Sequence, residues 1–268
     1  MKISTESVNP KTSGISDAST EDALRMINDA DATVAAVVAG CIPQVAKLVD
    51  AAANSIQNGG RIIYCGCGTS GRLAVADAAE CPPTYGVSSE LVHAVIAGGA
   101  GAITHASEGC EDSRERGAAA FHEAGGKAGD VVIGISAAGR APFVLAFMEE
   151  AKKAGCIVGA LTNNADTPMA ALADIAIEAL TGAEVIKGST RMKAGTSQKM
   201  ILNMFSTAVF IKLGCTYKNY MVNMTPTNTK LRARAVSMLC EITGMDADAA
   251  EKRLEAHGWS IREALKGE

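Results

Sequence analysis

Five short, almost uninterrupted apolar runs, at 61–65, 91–97, 130–136, 156–162 and 174–180, constrain this 268-residue chain more than anything else in it. Such runs, rich in Val and Ile, are too short for helices and lack the alternation of a half-wetted strand. They read as strands buried on both faces, which requires helices to cross over the sheet on either side. Segments of helical character separate most of them, one opening near Ser70 and others at 112–124 and 142–154. This alternation is the pattern of a doubly wound α/β domain with a five-stranded parallel sheet. Ligands of such sheets sit beyond the carboxyl ends of the strands, so the strand-end loops are the place to look for function.

The flanks are helical. Residues 1–19 are rich in Ser, Thr and Asn and read as an arm, and Ser19-Thr20-Glu21-Asp22 reads as a helix start. A longer helix is expected over 33–58, kinked or divided at Pro43. Three short helices, at 231–243, 247–257 and 260–265, form a small C-terminal helical appendage. The chain thus divides into an arm with helices (1–58), a central α/β domain (59–226) and a helical tail (227–268). A hydrophobic fraction of 48% supports a sizeable core, while the net charge of −4 without a basic block argues against nucleic acid. No apolar leader is visible in 1–20, and the longest apolar stretch, taken as 200–213, is broken by Asn203, Ser206, Thr207 and Lys212 and too short to span a bilayer. Eight scattered cysteines without a C-x-x-C pair read as reduced thiols in a cytoplasmic setting, and four isolated histidines offer no obvious Cys–His or Ser–His pair or metal site. Cys67 and Cys81 nonetheless lie near the candidate site, where a nucleophilic thiol is an open alternative.

Three loops carry the chemistry. The strand at 61–65 runs into Gly66-Cys67-Gly68-Thr69-Ser70-Gly71, where small residues permit a sharp turn and Thr69 and Ser70 are candidate helix caps. Backbone N–H groups and two hydroxyls there suit a phosphate, although a plain strand-to-helix turn has the same pattern. The strand ending at Ser136 enters a second small-residue turn, Ser136-Ala137-Ala138-Gly139-Arg140-Ala141-Pro142. A third segment, 188–199, gathers Ser189, Thr190, Arg191 and Lys193 before a long apolar helix. Together they suggest a phosphorylated, polyhydroxylated small molecule. Two carboxylates complete the set. Glu80, at the expected end of the first crossover helix, suits a general acid because a helix's carboxyl end disfavours a negative charge. Glu111, at the expected start of the next helix, suits a general base. Each reads equally as an ordinary surface carboxylate.

The segments TESVNPKT, RMINDAD, GCGTSGRLAVADAAECPPTYG, EGCEDSRERG, GAEVIKGSTRMKAGTSQK and MVNMTPTN resemble the N-acetylmuramic acid 6-phosphate etherases, within the sugar isomerase (SIS) domain group. The resemblance runs from about Thr5 to Asn228. It implies an SIS-type three-layer α/β/α sandwich and a cytoplasmic homodimer in cell-wall sugar recycling. The reaction it implies needs no metal or cofactor and splits the D-lactyl ether of N-acetylmuramic acid 6-phosphate to N-acetylglucosamine 6-phosphate and D-lactate. It makes Glu80 the acid that protonates departing lactate and Glu111 the base. Substrate contacts are expected from Thr69, Ser70, Ser136, Gly139 and Arg140, and then from Ser189, Thr190, Arg191 and Lys193, the last group reaching in from a partner subunit or from the same chain.

Two departures stand out. Etherases usually carry A-A-S-G-R-T in the second loop, whereas this chain has Ser136-Ala137-Ala138-Gly139-Arg140-Ala141 and lacks two hydroxyls. A lost hydrogen bond to a charged acceptor costs about 1.5–3 kcal/mol, or about a tenfold to hundredfold loss of affinity, unless Ser136 replaces it. The tail is also shorter than is common in the family. A non-catalytic phosphosugar-binding regulator and an aldose–ketose phosphosugar isomerase are the alternatives. The regulator has no need of both Glu80 and Glu111, and the ECPPTYG and EGCEDS motifs favour the etherase over both.

Overall fold

A computed structural model describes residues 3–107 and 109–266. The arm consists of three short 3-10 turns, followed by α1 (Thr20–Asp31) and α2 (Val34–Gln57). The α/β unit follows as β1 (Ile62–Gly66), α3 (Gly68–Tyr85), β2 (Val92–Ile96), α4 (Gly101–Thr104), α5 (Arg114–Glu123), β3 (Val131–Ser136), α6 (Pro142–Lys153), β4 (Ile157–Thr162), α7 (Pro168–Leu172), β5 (Ile175–Glu178) and α8 (Lys193–Lys212). The tail is α9 (Thr229–Thr243), α10 (Ala247–Ala256) and α11 (Ile261–Leu265).

All five expected strands form, in one parallel sheet of order β2-β1-β3-β4-β5. Side chains alternate across each strand, and both faces are covered. On one face Ile62, Tyr64, Val131, Ile133, Ile135 and Leu161 pack with α2, α3 and α8. On the other, Ile63, Cys65, Val132, Val158 and Ala160 meet Phe121, Phe143, Val144 and Phe147 of α5 and α6. The result is a three-layer α/β/α sandwich. Its strand order turns back between β1 and β3, which opens a crevice above the carboxyl ends of those two strands.

Three expectations need correction. α2 is continuous through Pro43, whose missing N–H does not divide it. α3 runs on through Pro82 and Pro83 to Tyr85, where Gly86 takes a left-handed φ of 64° to end it. Glu80 therefore lies inside the helix. The apolar stretch at 200–213 is not the longest, because the helical stretch Thr20–Gln57 is long and apolar enough for a membrane span. Within it Val34, Val38, Val45, Leu48 and Ala52 are buried in the sheet-facing core, the placing of a core helix. The tail has a core of its own, in which Val222, Met224, Ala235, Leu239, Leu254 and Ile261 pack together.

Candidate active site

Glycines set the first loop. A Cβ on Gly66 would lie 2.8 Å from Gly71 N, and one on Gly71 would lie 2.6 Å from Ile96 Cγ1, so the turn closes only with hydrogen at both. Gly68 adopts a φ of +53°. The helix then starts one residue earlier than the expected caps. Cys67 is the N-cap residue and provides no side-chain bond, so Thr69 and Ser70 sit in the first turn rather than capping it. Ser70 is buried, and its hydroxyl donates to Gln198 Oε1 at 2.8 Å. Thr69 is half-buried, against Gly195 at the start of α8.

The second loop folds on itself. Ser136 Oγ accepts the Gly139 N–H at 3.2 Å, and Gly139 takes a φ of +65° with no room for a Cβ beside Thr167. Ala138 is half-buried and Arg140 exposed. Arg140 lines a cavity of about 280 Å³ with Ile3, Ser4, Asn164, Leu180 and Gly182. The arm is bound into this wall: Asn164 Oδ1 accepts from Ser4 N and Ser4 Oγ, both at 2.7 Å, while Asn164 Nδ2 donates to Thr5 Oγ1 and to Ala137 O. Sequence reasoning missed Asn164 and the arm's part, since their partners lie about 160 residues away along the chain.

In the third segment Ser189 and Thr190 are half-buried and Arg191 is exposed. Lys193 is not a solvated lysine. It is 7% exposed, and its ammonium donates to Thr181 O at 2.7 Å. Glu184, fully buried, accepts the N–H groups of Lys193 and Ala194 at 2.9 Å each and so satisfies the first donors of α8. Burial pushes the Glu184 carboxyl above its ordinary range in spite of those bonds.

Glu111 is exposed in the loop before α5, near enough to Cys67 for its charge to act on that thiol. Its carbonyl accepts the Phe143 N–H at 2.9 Å, which ties its loop to the start of α6 beside the second turn. Burial first, and then the Glu111 charge, push the Cys67 thiol up to about 12. Cys81 is likewise pushed up to about 12, by burial and then by Asp77 and Glu80. Neither is a thiolate near neutral pH, which removes the activation a nucleophilic cysteine needs. Glu108, part of the EGCEDS motif, lies outside the described residues.

Glu80 is apart from this cluster. It is exposed on α3, twelve residues beyond Gly68, so roughly 18 Å of helix separate it from the first loop. A cavity of about 520 Å³ follows the free edge of β2 between α3 and α5, reaching Gly99 and Ala100 past the strand's carboxyl end, and is lined mostly by apolar groups such as Val75, Val95 and Ile103. Among the described residues no three His, Cys, Asp or Glu side chains converge as a metal site.

Comparison with known proteins gives this crevice its context. Residues 44–152 match the glucokinase regulatory protein N-terminal SIS domain, 117–208 the SIS domain and 234–266 a UBA-like domain. The N-acetylmuramic acid 6-phosphate etherase of Symbiobacterium thermophilum is 51% identical over 94% of this chain and 83% of its own. The chain belongs to the N-acetylmuramic acid 6-phosphate etherase family. The etherase of Actinobacillus pleuropneumoniae serotype 7 is 44% identical over 95% of this chain and 84% of its own, and that of Salmonella agona is 44% identical over 97% and 88%. A phosphoheptose isomerase from Francisella tularensis shares the fold with a TM-score of 0.56 at 18% identity, over 72% of this chain and 98% of that one. The Vibrio vulnificus NanR protein complexed with ManNAc-6P does so with a TM-score of 0.51 at 15% identity, over 73% and 64%. The UBA-like match falls on the three tail helices, which sequence reading recognised only as a separate helical unit.

Proposed function

We propose that this chain is an N-acetylmuramic acid 6-phosphate etherase, a carbon–oxygen lyase acting in the recycling of cell-wall amino sugars in the cytoplasm. The observation that carries the reading is 51% identity to a curated etherase over 94% of the chain. The segment 59–226 is its phosphosugar-binding unit. Two glycine turns flank the switch point of the sheet, where free N–H groups of α3's first turn, Thr69 and Arg140 are suited to a phosphorylated sugar. Gly139, Ser189, Thr190 and Arg191 are the neighbouring contacts. Ser70 and Lys193 already spend donors on the protein itself and shape the site more than they line it, whereas Ser136 Oγ only accepts, from the Gly139 N–H, and keeps its proton for a ligand.

In the open-chain sugar the C2 proton is acidic because it lies next to the C1 aldehyde. Glu111 takes that proton, the C2–H electrons form the C2–C3 double bond, and the C3–O bond breaks as Glu80 gives its proton to the lactyl oxygen. D-lactate leaves. Water then adds at C3, Glu80 regains a proton from it, and Glu111 returns its proton to C2, so both carboxyl groups end as they began.

Both groups must come within hydrogen-bond reach of two adjacent carbons, yet about 18 Å of α3 lie between Glu80 and the loop that Glu111 adjoins. This supports a homodimer in which Glu80 of one copy serves the crevice holding Glu111 of the other. The test is D-lactate release from N-acetylmuramic acid 6-phosphate in ¹⁸O water, beside Glu80→Gln and Glu111→Gln. Lactate with label at C3, and losses of at least about a hundredfold in both variants, is the expected result. Binding of the sugar phosphate without lactate release overturns the etherase and leaves a regulator.

A further inference from the structure

A line of buried side-chain hydrogen bonds runs beneath the candidate crevice and touches all three of its loops. Ser70 Oγ, in the first loop, donates to Gln198 Oε1 at 2.8 Å. Gln198 Nε2 donates to Asn163 Oδ1 at 2.9 Å. Asn163 Nδ2 donates in turn to Ser197 Oγ at 2.7 Å and to Ala179 O at 2.8 Å. Ser197 Oγ passes its own proton to Ala194 O, at the start of α8. The Asn163 backbone N–H donates to Ala137 O, inside the second loop. Gln198 is 1% exposed, and Asn163 and Ser197 are fully buried.

Three features make this line more than core filling. Buried amides and hydroxyls are costly unless every partner is in place, so packing alone would favour apolar groups here. Its members come from α3, the residue after β4 and α8; the β1–β3 and β3–β4 ladders carry the first two loops, while the third, at the start of α8, lies outside the sheet and is tied to them by this line. The line also has one sense. Gln198 must accept from Ser70 and donate to Asn163, because Asn163 Oδ1 has no hydrogen and Asn163 Nδ2 is engaged by Ala179 O and Ser197 Oγ. The Ser70 proton is therefore committed inward.

We propose that Gln198 and Asn163 are positioning residues for phosphosugar binding, which lock the three strand-end loops at the spacing where their N–H groups and hydroxyls converge on one ligand. Ser70 belongs to this line and acts through it; it does not donate to the phosphate. The inference rests on the reading of the crevice as a phosphosugar site, and deepens it.

A double-mutant cycle tests it, with Ser70→Ala, Gln198→Met and the pair, using N-acetylglucosamine 6-phosphate as the binding probe and N-acetylmuramic acid 6-phosphate for turnover. Both variants break the Ser70–Gln198 link and Gln198→Met also strands Asn163 Oδ1, so Ser70→Ala raises Kd and KM by about tenfold and Gln198→Met by at least as much, kcat changes less than about twofold, and the pair is no worse than Gln198→Met alone. Ser70→Ala removes one small hydroxyl and keeps the test open should Gln198→Met fold poorly. Variants that bind as the wild type does overturn the inference. So does a pair whose losses multiply, since Ser70 would then hold the ligand itself. A wild-type chain that binds the probe but releases no lactate refutes the etherase and leaves this test standing. A wild-type chain that does not bind the probe overturns both.

Discussion

At the residue scale, the state of two thiols, one beside the first loop and one far along α3, is set by what lies over them. Cys67 and Cys81 are both pushed up to about 12 by burial first and by neighbouring carboxylates second. A thiol raised in the folded state adds stability that is complete below its unfolded pKa of about 9 and is lost as pH climbs towards 12. The urea midpoint should therefore fall above pH 9, and less steeply in Cys81→Ala than in wild type. An equal fall in both would mean that Cys81 titrates unshifted. Much at this scale was legible in sequence. Gly66, Gly68 and Gly71 announced a tight turn because only glycine fits there, and the turn proved to sit at the switch point of the sheet. The roles of Ser70 and Lys193 were not legible. Each reads as a free polar group until its partner, Gln198 or Thr181, is brought beside it by the fold.

At the scale of elements, α3 and α8 are joined by a buried carboxylate. Asp77 is 5% exposed, and it accepts from Tyr64 Oη at 2.9 Å, Asn203 Nδ2 at 2.7 Å and Ser206 Oγ at 3.1 Å. Burial and the Asp77 charge hold the Tyr64 phenol well above its ordinary pKa, so it remains a donor. Asp77→Ala strands two buried donors, Tyr64 and Ser206, and the half-buried Asn203, and should destabilise by about 3 kcal/mol or more, with Asp77→Asn losing less because one acceptor oxygen is kept. Urea titration with an unchanged slope is the measurement, and a loss under about 0.5 kcal/mol in Asp77→Ala would refute the assignment. The five strands were legible from their length and apolar continuity, and their ends moved by a residue or two. The end of α3 was misjudged because a double proline usually marks a stop. An interior proline forfeits its N–H bond and crowds the carbonyl four residues back, and here Cys81 and Tyr85, packed in the core on either side of the pair, hold the helix through that cost.

At the scale of the molecule, the sequence indicated a doubly wound sheet and a helical tail; both are present, and Val222 and Met224, ahead of the expected boundary at 227, pack into the tail's apolar core. What one chain's sequence could not show is distance. Glu80 and Glu111 read as a pair from their expected places at a helix end and a helix start and from the family resemblance, whereas the fold places one in the loop before α5 and the other far along α3. That placing is the ground for proposing that a second copy supplies one of the two carboxyl groups at each site. The most direct measurement is D-lactate release by a co-expressed, doubly tagged pair of Glu80→Gln and Glu111→Gln. In a statistical mixture half of the dimers are mixed, and each of these keeps one site with both glutamates, so roughly a quarter of wild-type activity is expected. Activity no higher than that of either variant alone would place both glutamates of a site in one chain and contradict the account.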